Sequence, residues 1–112
     1  MYQVKTLVQG STLTTAAAVY YTAPTGTYTR ITQLSVTNTD SSPHVISLYL
    51  ASSSSAPGVA DTVLKSKTLQ ANETFVPSAA LGFVLSPAAT IQAIADANSL
   101  VVIKASGIEL TT

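Results

Sequence analysis

A chain of 112 residues with five Lys and Arg against five Asp and Glu has no net charge, and only 9% of its residues are charged, about a third of the share in ordinary soluble domains. Nucleic-acid binding needs a basic stripe that neutralises several phosphates, and Lys5, Arg30, Lys65, Lys67 and Lys104 are too few and too scattered to form one. Membrane-surface binding is excluded on the same ground, and the lack of cysteine removes disulfides and thiolate chemistry alike.

The length suits one domain over residues 1–112, large enough to bury a core without staples. With a mean hydropathy of +0.38, the surface must be built from Ser, Thr, Asn, Gln and Ala. A neutral monomer with such a surface is poorly defended against association, which points to a protein that lives in an assembly.

The opening "MYQVKTLVQGS" has one lysine and no apolar run of signal-peptide length, so export is not expected. Within it "YQVKTLVQ" sets Val4 against Lys5 and adds Leu7 and Val8. It reads as an N-terminal edge strand or arm over residues 1–10. The longest apolar run, "AAAVYY" at residues 16–21, is far too short to cross a bilayer.

Beyond it the chain alternates between β-branched runs and turn signals, with no 3.6-residue stripe. Strands are expected near residues 3–9, 13–21, 28–38, 44–51, 62–69, 73–84, 89–95 and 99–110. "TRITQLSV" breaks strict alternation between Ile31 and Leu34, the mark of a β-bulge. "VISLYL" puts Ile46, Leu48 and Leu50 on one face. "APTG", "NTDSSP", "ANE" and "DANS" supply turn residues, and "SSSSAPG" a loop tip. The pattern predicts an all-β, antiparallel two-sheet sandwich of jelly-roll type with about eight strands. Its core should hold Ile46, Leu48, Leu50, Leu64, Ile91, Val101 and Ile103.

No constellation carries chemistry. The single histidine, His44, follows Pro43 at a strand start with no nucleophile or orienting acid indicated by any motif. A structural or surface role is expected for it, and His44→Ala is expected to leave function intact and to cost little stability. Asp40, Asp61, Glu73, Asp96 and Glu109 are spread along the chain, the first four at turns, which gives no reason to pair two as a hydrolase would. Neither a calcium loop, a zinc set nor a phosphate cradle is present, so no catalytic, metal or cofactor-binding residue is assigned.

Tyrosine remains, since it joins contact area to a hydrogen-bonding tip. Adjacent Tyr20 and Tyr21 must face opposite ways in a regular strand, so one of them points outward. Tyr2, Val4 and Leu7 on the edge strand, with Tyr20 or Tyr21, form the expected protein interface.

"YTAPTGTYTRITQLSVTNTDSSPHVISLYL", then "LQANETF", then "LSPAATIQAIADANSLVVIKASGIEL" together resemble the small virion structural proteins of tailed bacteriophages over roughly residues 19–110. In that group a "YTAP" opening leads to a strand ending in Leu-Tyr-like residues, a Gly-Glu turn, and a closing "SGIE" strand. This chain departs from the pattern at two turns, with "ANET" for the Gly-Glu turn and "SPAAT" where a glycine-acid pair is common. The resemblance implies a non-enzymatic capsid decoration (cement) protein that sits in the virion. It binds the phage major capsid protein or another virion protein as a homo-oligomer, with a trimer favoured. A tail or head–tail component is the alternative within that class. A carbohydrate-binding or adhesin-like sandwich is the alternative outside it, weakened by the absence of Trp and of an export signal.

Overall fold

The computed structural model describes residues 2–111, which form nine strands and two single 3-10 turns. The strands are β1 (Tyr2–Thr12), β2 (Ala18–Thr22), β3 (Thr27–Asn38), β4 (His44–Ala51), β5 (Thr62–Leu69), β6 (Thr74–Phe75), β7 (Val84–Leu85), β8 (Thr90–Ala95) and β9 (Val101–Thr111). One sheet runs β1-β9-β3-β6, with β7 also on β3, and the other runs β2-β8-β4-β5. Every pairing is antiparallel. The chain passes back and forth between the sheets, so each sheet takes strands from both halves of the sequence. That interleaving is the jelly roll expected from the pattern.

Side-chain alternation builds the core between the two sheets. Leu34, Val36, Ile46, Leu48, Ile91, Val101 and Ile103 are almost wholly buried, and Leu50 nearly so. Leu64 departs from expectation and is only half-buried. It lies on β5, at a sheet edge, where Ser66 takes a left-handed backbone (φ 52°) and the register with β4 shifts. An irregular edge cannot press each alternate residue onto the opposite sheet.

Two expected strands take other forms. Residues 13–17 are not strand. Fully buried Leu13 instead anchors a crossing between the sheets, its N–H donating to the Val101 carbonyl at 2.8 Å. The expected strand over 73–84 is broken in two, since Pro77 has no N–H for a ladder and leads into a 3-10 turn at Ser78–Ala80. Its halves survive as β6 beside Val36 and Thr37, and β7 beside Thr29 and Arg30.

The bulge is where the sequence placed it. The β3–β9 register slips between Ile31 and Gln33, and the burial of β3 stutters at Thr32 and Gln33. Opposite the slip stands Gly107, where a Cβ would lie 2.2 Å from the Arg30 carbonyl oxygen and 3.0 Å from Leu7 Cδ1. The bulge swings the β3 backbone into the space a side chain on β9 would need. At the Gln70–Glu73 turn, Asn72 sits at φ 61°, a left-handed position that asparagine tolerates.

Gly107→Ala should destabilise the fold by about 3 kcal/mol, as an overpacking change against backbone. Urea denaturation of the two proteins measures it.

Candidate interaction surface

The β1-β9-β3 sheet is inverted at one end. The cross-strand row Tyr2–Leu110–Tyr28 and the row Val4–Ile108–Arg30–Val84 face away from the other sheet. Between them the inward row is Gln3–Glu109–Thr29–Leu85. Alternation therefore sends a carboxylate inside and apolar groups out. Tyr2 is 65% exposed and Val4 73%, while Tyr28, Leu110 and Val84 are each about half exposed.

Glu109 is tolerated inside because donors reach it. The Tyr21 hydroxyl, on β2 of the opposite sheet, donates to Glu109 Oε2 at 2.5 Å and meets Thr29 Oγ1 at 2.8 Å. Lys5 Nζ lies 3.4 Å from the same carboxylate oxygen. Burial first, and the adjoining Glu109 second, push the Tyr21 hydroxyl up to about 12, so it remains a donor at any ordinary pH. The cluster ties the two sheets together with a charge-assisted bond.

The opposite end of the sandwich is polar and clamped. His44 Nε2 sits 2.7 Å from Asp40 Oδ2, and Nδ1 sits 2.7 Å from Asp96 Oδ1. Asp96 Oδ2 also accepts the Val45 N–H at 3.1 Å, and Asp40 Oδ1 accepts that of Ser41 at 2.8 Å. The imidazole thus joins the β3–β4 turn to the β8–β9 turn. Buried Asn38 completes the end, its side-chain amide donating to the Ser42, Leu69 and Gln70 carbonyls. Both ring nitrogens of His44 are thus hydrogen-bonded to carboxylates. Among the described residues no group of three or more His, Cys, Asp or Glu side chains is placed to hold a metal ion. Nor is any helix long and apolar enough to cross a membrane.

The expected interface residues divide. Tyr2 and Val4 lie exposed on the apolar rows, and β1 stands at a sheet edge. Leu7 is corrected to a core residue, since the register slips between Thr6 and Val8 and Leu7 turns inward towards Gly107. Tyr21 is likewise corrected, being the buried partner of Glu109. Tyr20 is half-buried against the core, and its hydroxyl donates to the Thr12 carbonyl at 3.2 Å. Tyr28, Val84, Ile108 and Leu110 were not anticipated. The signal for the last two was available, since "GIEL" puts one charge between two apolar residues and a strand must send them to opposite faces.

Comparison of the chain with protein-family models, with curated proteins and with solved structures finds no match.

Tyr21→Phe should cost about 1–3 kcal/mol, because it leaves a buried carboxylate short of its best donor. Adding Glu109→Leu should recover part of that loss in the same denaturation assay, since no buried charge then remains.

The clamp also changes what is expected of His44→Ala, which would leave Asp40 and Asp96 facing a gap. Hydrogen bonds donated to Asp40, then to Asp96, raise the His44 pKa above its ordinary 6.5. The bond from His44 chiefly holds Asp40 below its ordinary 3.8. The raised group stabilises fully below pH 6.5, and its contribution is lost as pH climbs through the higher folded value. The lowered group stabilises above pH 3.8, and its contribution is lost as pH falls through the lower folded value. A neutral imidazole has one N–H and cannot serve both carboxylates. Thermal midpoints of the native protein and His44→Gln should differ most between these limits, near pH 5–6, and converge towards pH 9.

Proposed function

We propose that this chain is a non-enzymatic structural protein of a bacteriophage virion, a capsid decoration protein that docks on the outer shell through the apolar end of its β1-β9-β3 sheet. The reading rests on the sequence resemblance for the setting and on one structural observation for the mode of action, the inverted rows that put Tyr2, Val4, Tyr28, Ile108 and Leu110 outside. A decoration protein performs no reaction and has to recognise a protein surface that is already assembled. It needs rigid side chains with large contact area and few charges to desolvate.

The chemistry of the partner follows from the same face. The outward positions of this sheet include Arg30 and Lys104, and no acid among the described residues. The matching shell surface is therefore apolar, with a carboxylate placed to meet Arg30. Oligomerisation, which the resemblance implies as a trimer, adds copies of a modest contact and raises occupancy through avidity.

Gold-labelled antibody against the chain, applied to virions, tests the reading. Label should cover the shell, and Tyr28→Asp together with Leu110→Asp should lower shell occupancy at least tenfold while leaving circular dichroism unchanged. Label confined to the tail would move the protein to a tail component, and virions without label would sink the assignment.

A further inference from the structure

We propose that two copies of this chain join edge to edge through the first half of β1, antiparallel about a two-fold axis, so that their β1-β9-β3 sheets become one. The third step below rests on the docking face proposed above; the first two do not.

The first step is the edge itself. β1 is an eleven-residue strand, paired with β9 on one side and with no strand on the other among the described residues. An unprotected edge is a template for another strand. Of the usual guards its beginning keeps only one, the inward-facing Lys5. There is no proline in β1, and its single charge, Lys5, is drawn towards Glu109. The bulges begin only after Thr6. Residues 2–6 are thus a regular, open stretch.

The second step is the register. For the outer faces of both copies to stay on one side, the two-fold must pass through a residue rather than between two. With the axis at Val4, Val4 faces its own copy, Tyr2 faces Thr6, and Gln3 faces Lys5. A central β-branched pair flanked by aromatic–β-branched pairs is a favourable set of cross-strand neighbours. Moving the axis to Lys5 would oppose two ammonium groups directly. At Val4 the two lysines are diagonal, each beside its own Glu109.

The third step is area. Taking about 200 Å² for a whole tyrosine and somewhat less for each aliphatic residue, the exposed fractions of Tyr2, Val4, Tyr28, Val84, Ile108 and Leu110 sum to roughly 500 Å². That falls short of the about 800 Å² a partner contributes to a stable interface. Edge pairing at β1 brings the two patches side by side as one surface of about 1,000 Å² less what Tyr2 and Val4 cover against the other copy, which reaches that size. The contact is two-fold, where the resemblance implies three copies.

The test uses the full-length chain, in which an introduced cysteine is the only one. Native protein at tens of micromolar should scatter light as a dimer or an even multiple. Val4→Cys should convert to a disulfide-linked dimer under mild oxidant, and Thr25→Cys, on a turn, should not. Val4→Lys should raise the dissociation constant at least tenfold with unchanged circular dichroism. A native monomer or trimer, or cross-linking no greater at residue 4 than at residue 25, would overturn the proposal. A monomer that still decorates shells would refute the pairing and leave the docking face standing. A cross-linked dimer that labels no virion would support the pairing and remove its setting.

Discussion

The rest of the structure turns on a carboxylate placed where a core residue belongs. Glu109 occupies an inward position of an interior strand of its sheet, where a polar group without hydrogen-bond donors is costly to bury. Tyr21 comes from the opposite sheet and Lys5 from a neighbouring strand to accommodate it, and Thr29 on the other neighbouring strand meets the Tyr21 hydroxyl. Those requirements fix the facing of β1, β2, β3 and β9 together. Once Glu109 points in, Ile108 and Leu110 point out, and Tyr2, Val4 and Tyr28 follow across the ladder. The apolar surface is the other side of the buried charge.

β9 carries this constraint because it joins the ends of the chain. It pairs with β1 and with β3, both distant from it in the chain. Such non-local pairing is slow to form, and its register has to be unambiguous. Gly107 and the β3 bulge supply that. The Arg30 carbonyl can approach β9 only at the one position without a side chain. A slip by one residue would oppose that carbonyl to a Cβ and would also turn Glu109 outward.

What was legible in the sequence was whatever rests on local period. Alternation in "VISLYL" and the break in "TRITQLSV" gave a buried face and a bulge, and both stand where expected. The jelly roll followed from strand spacing and the absence of helical stripes. What stayed hidden depends on partners distant in the chain. His44 is separated by 52 residues from Asp96, and Tyr21 by 88 from Glu109, so neither of those pairs has a spacing to recognise, although Asp40 stands four residues before His44. Leu7 and Tyr21 were misplaced for a different reason. Bulges in β1 and β2 shift the phase of the alternation, and one extra residue sends the next side chain to the wrong face. The division of 73–84 was readable in Pro77, but the turn that follows it depends on packing beneath buried Ala80.

The distribution of charge unites the two ends of the sandwich. All five acids accept bonds from within the chain: Asp40 and Asp96 from His44, Asp61 from the Gly58 N–H, Glu73 from the Gln70 N–H, and Glu109 from Tyr21. The chain is neutral by count, yet the outer side of its larger sheet displays cations and apolar rows without a compensating acid. Neutrality removes long-range repulsion between copies, and the local imbalance selects what the face can meet. An acidic, apolar protein surface satisfies both features. Two such faces set against each other would bring cations together with no acid between them, a cost that the proposed edge pairing avoids.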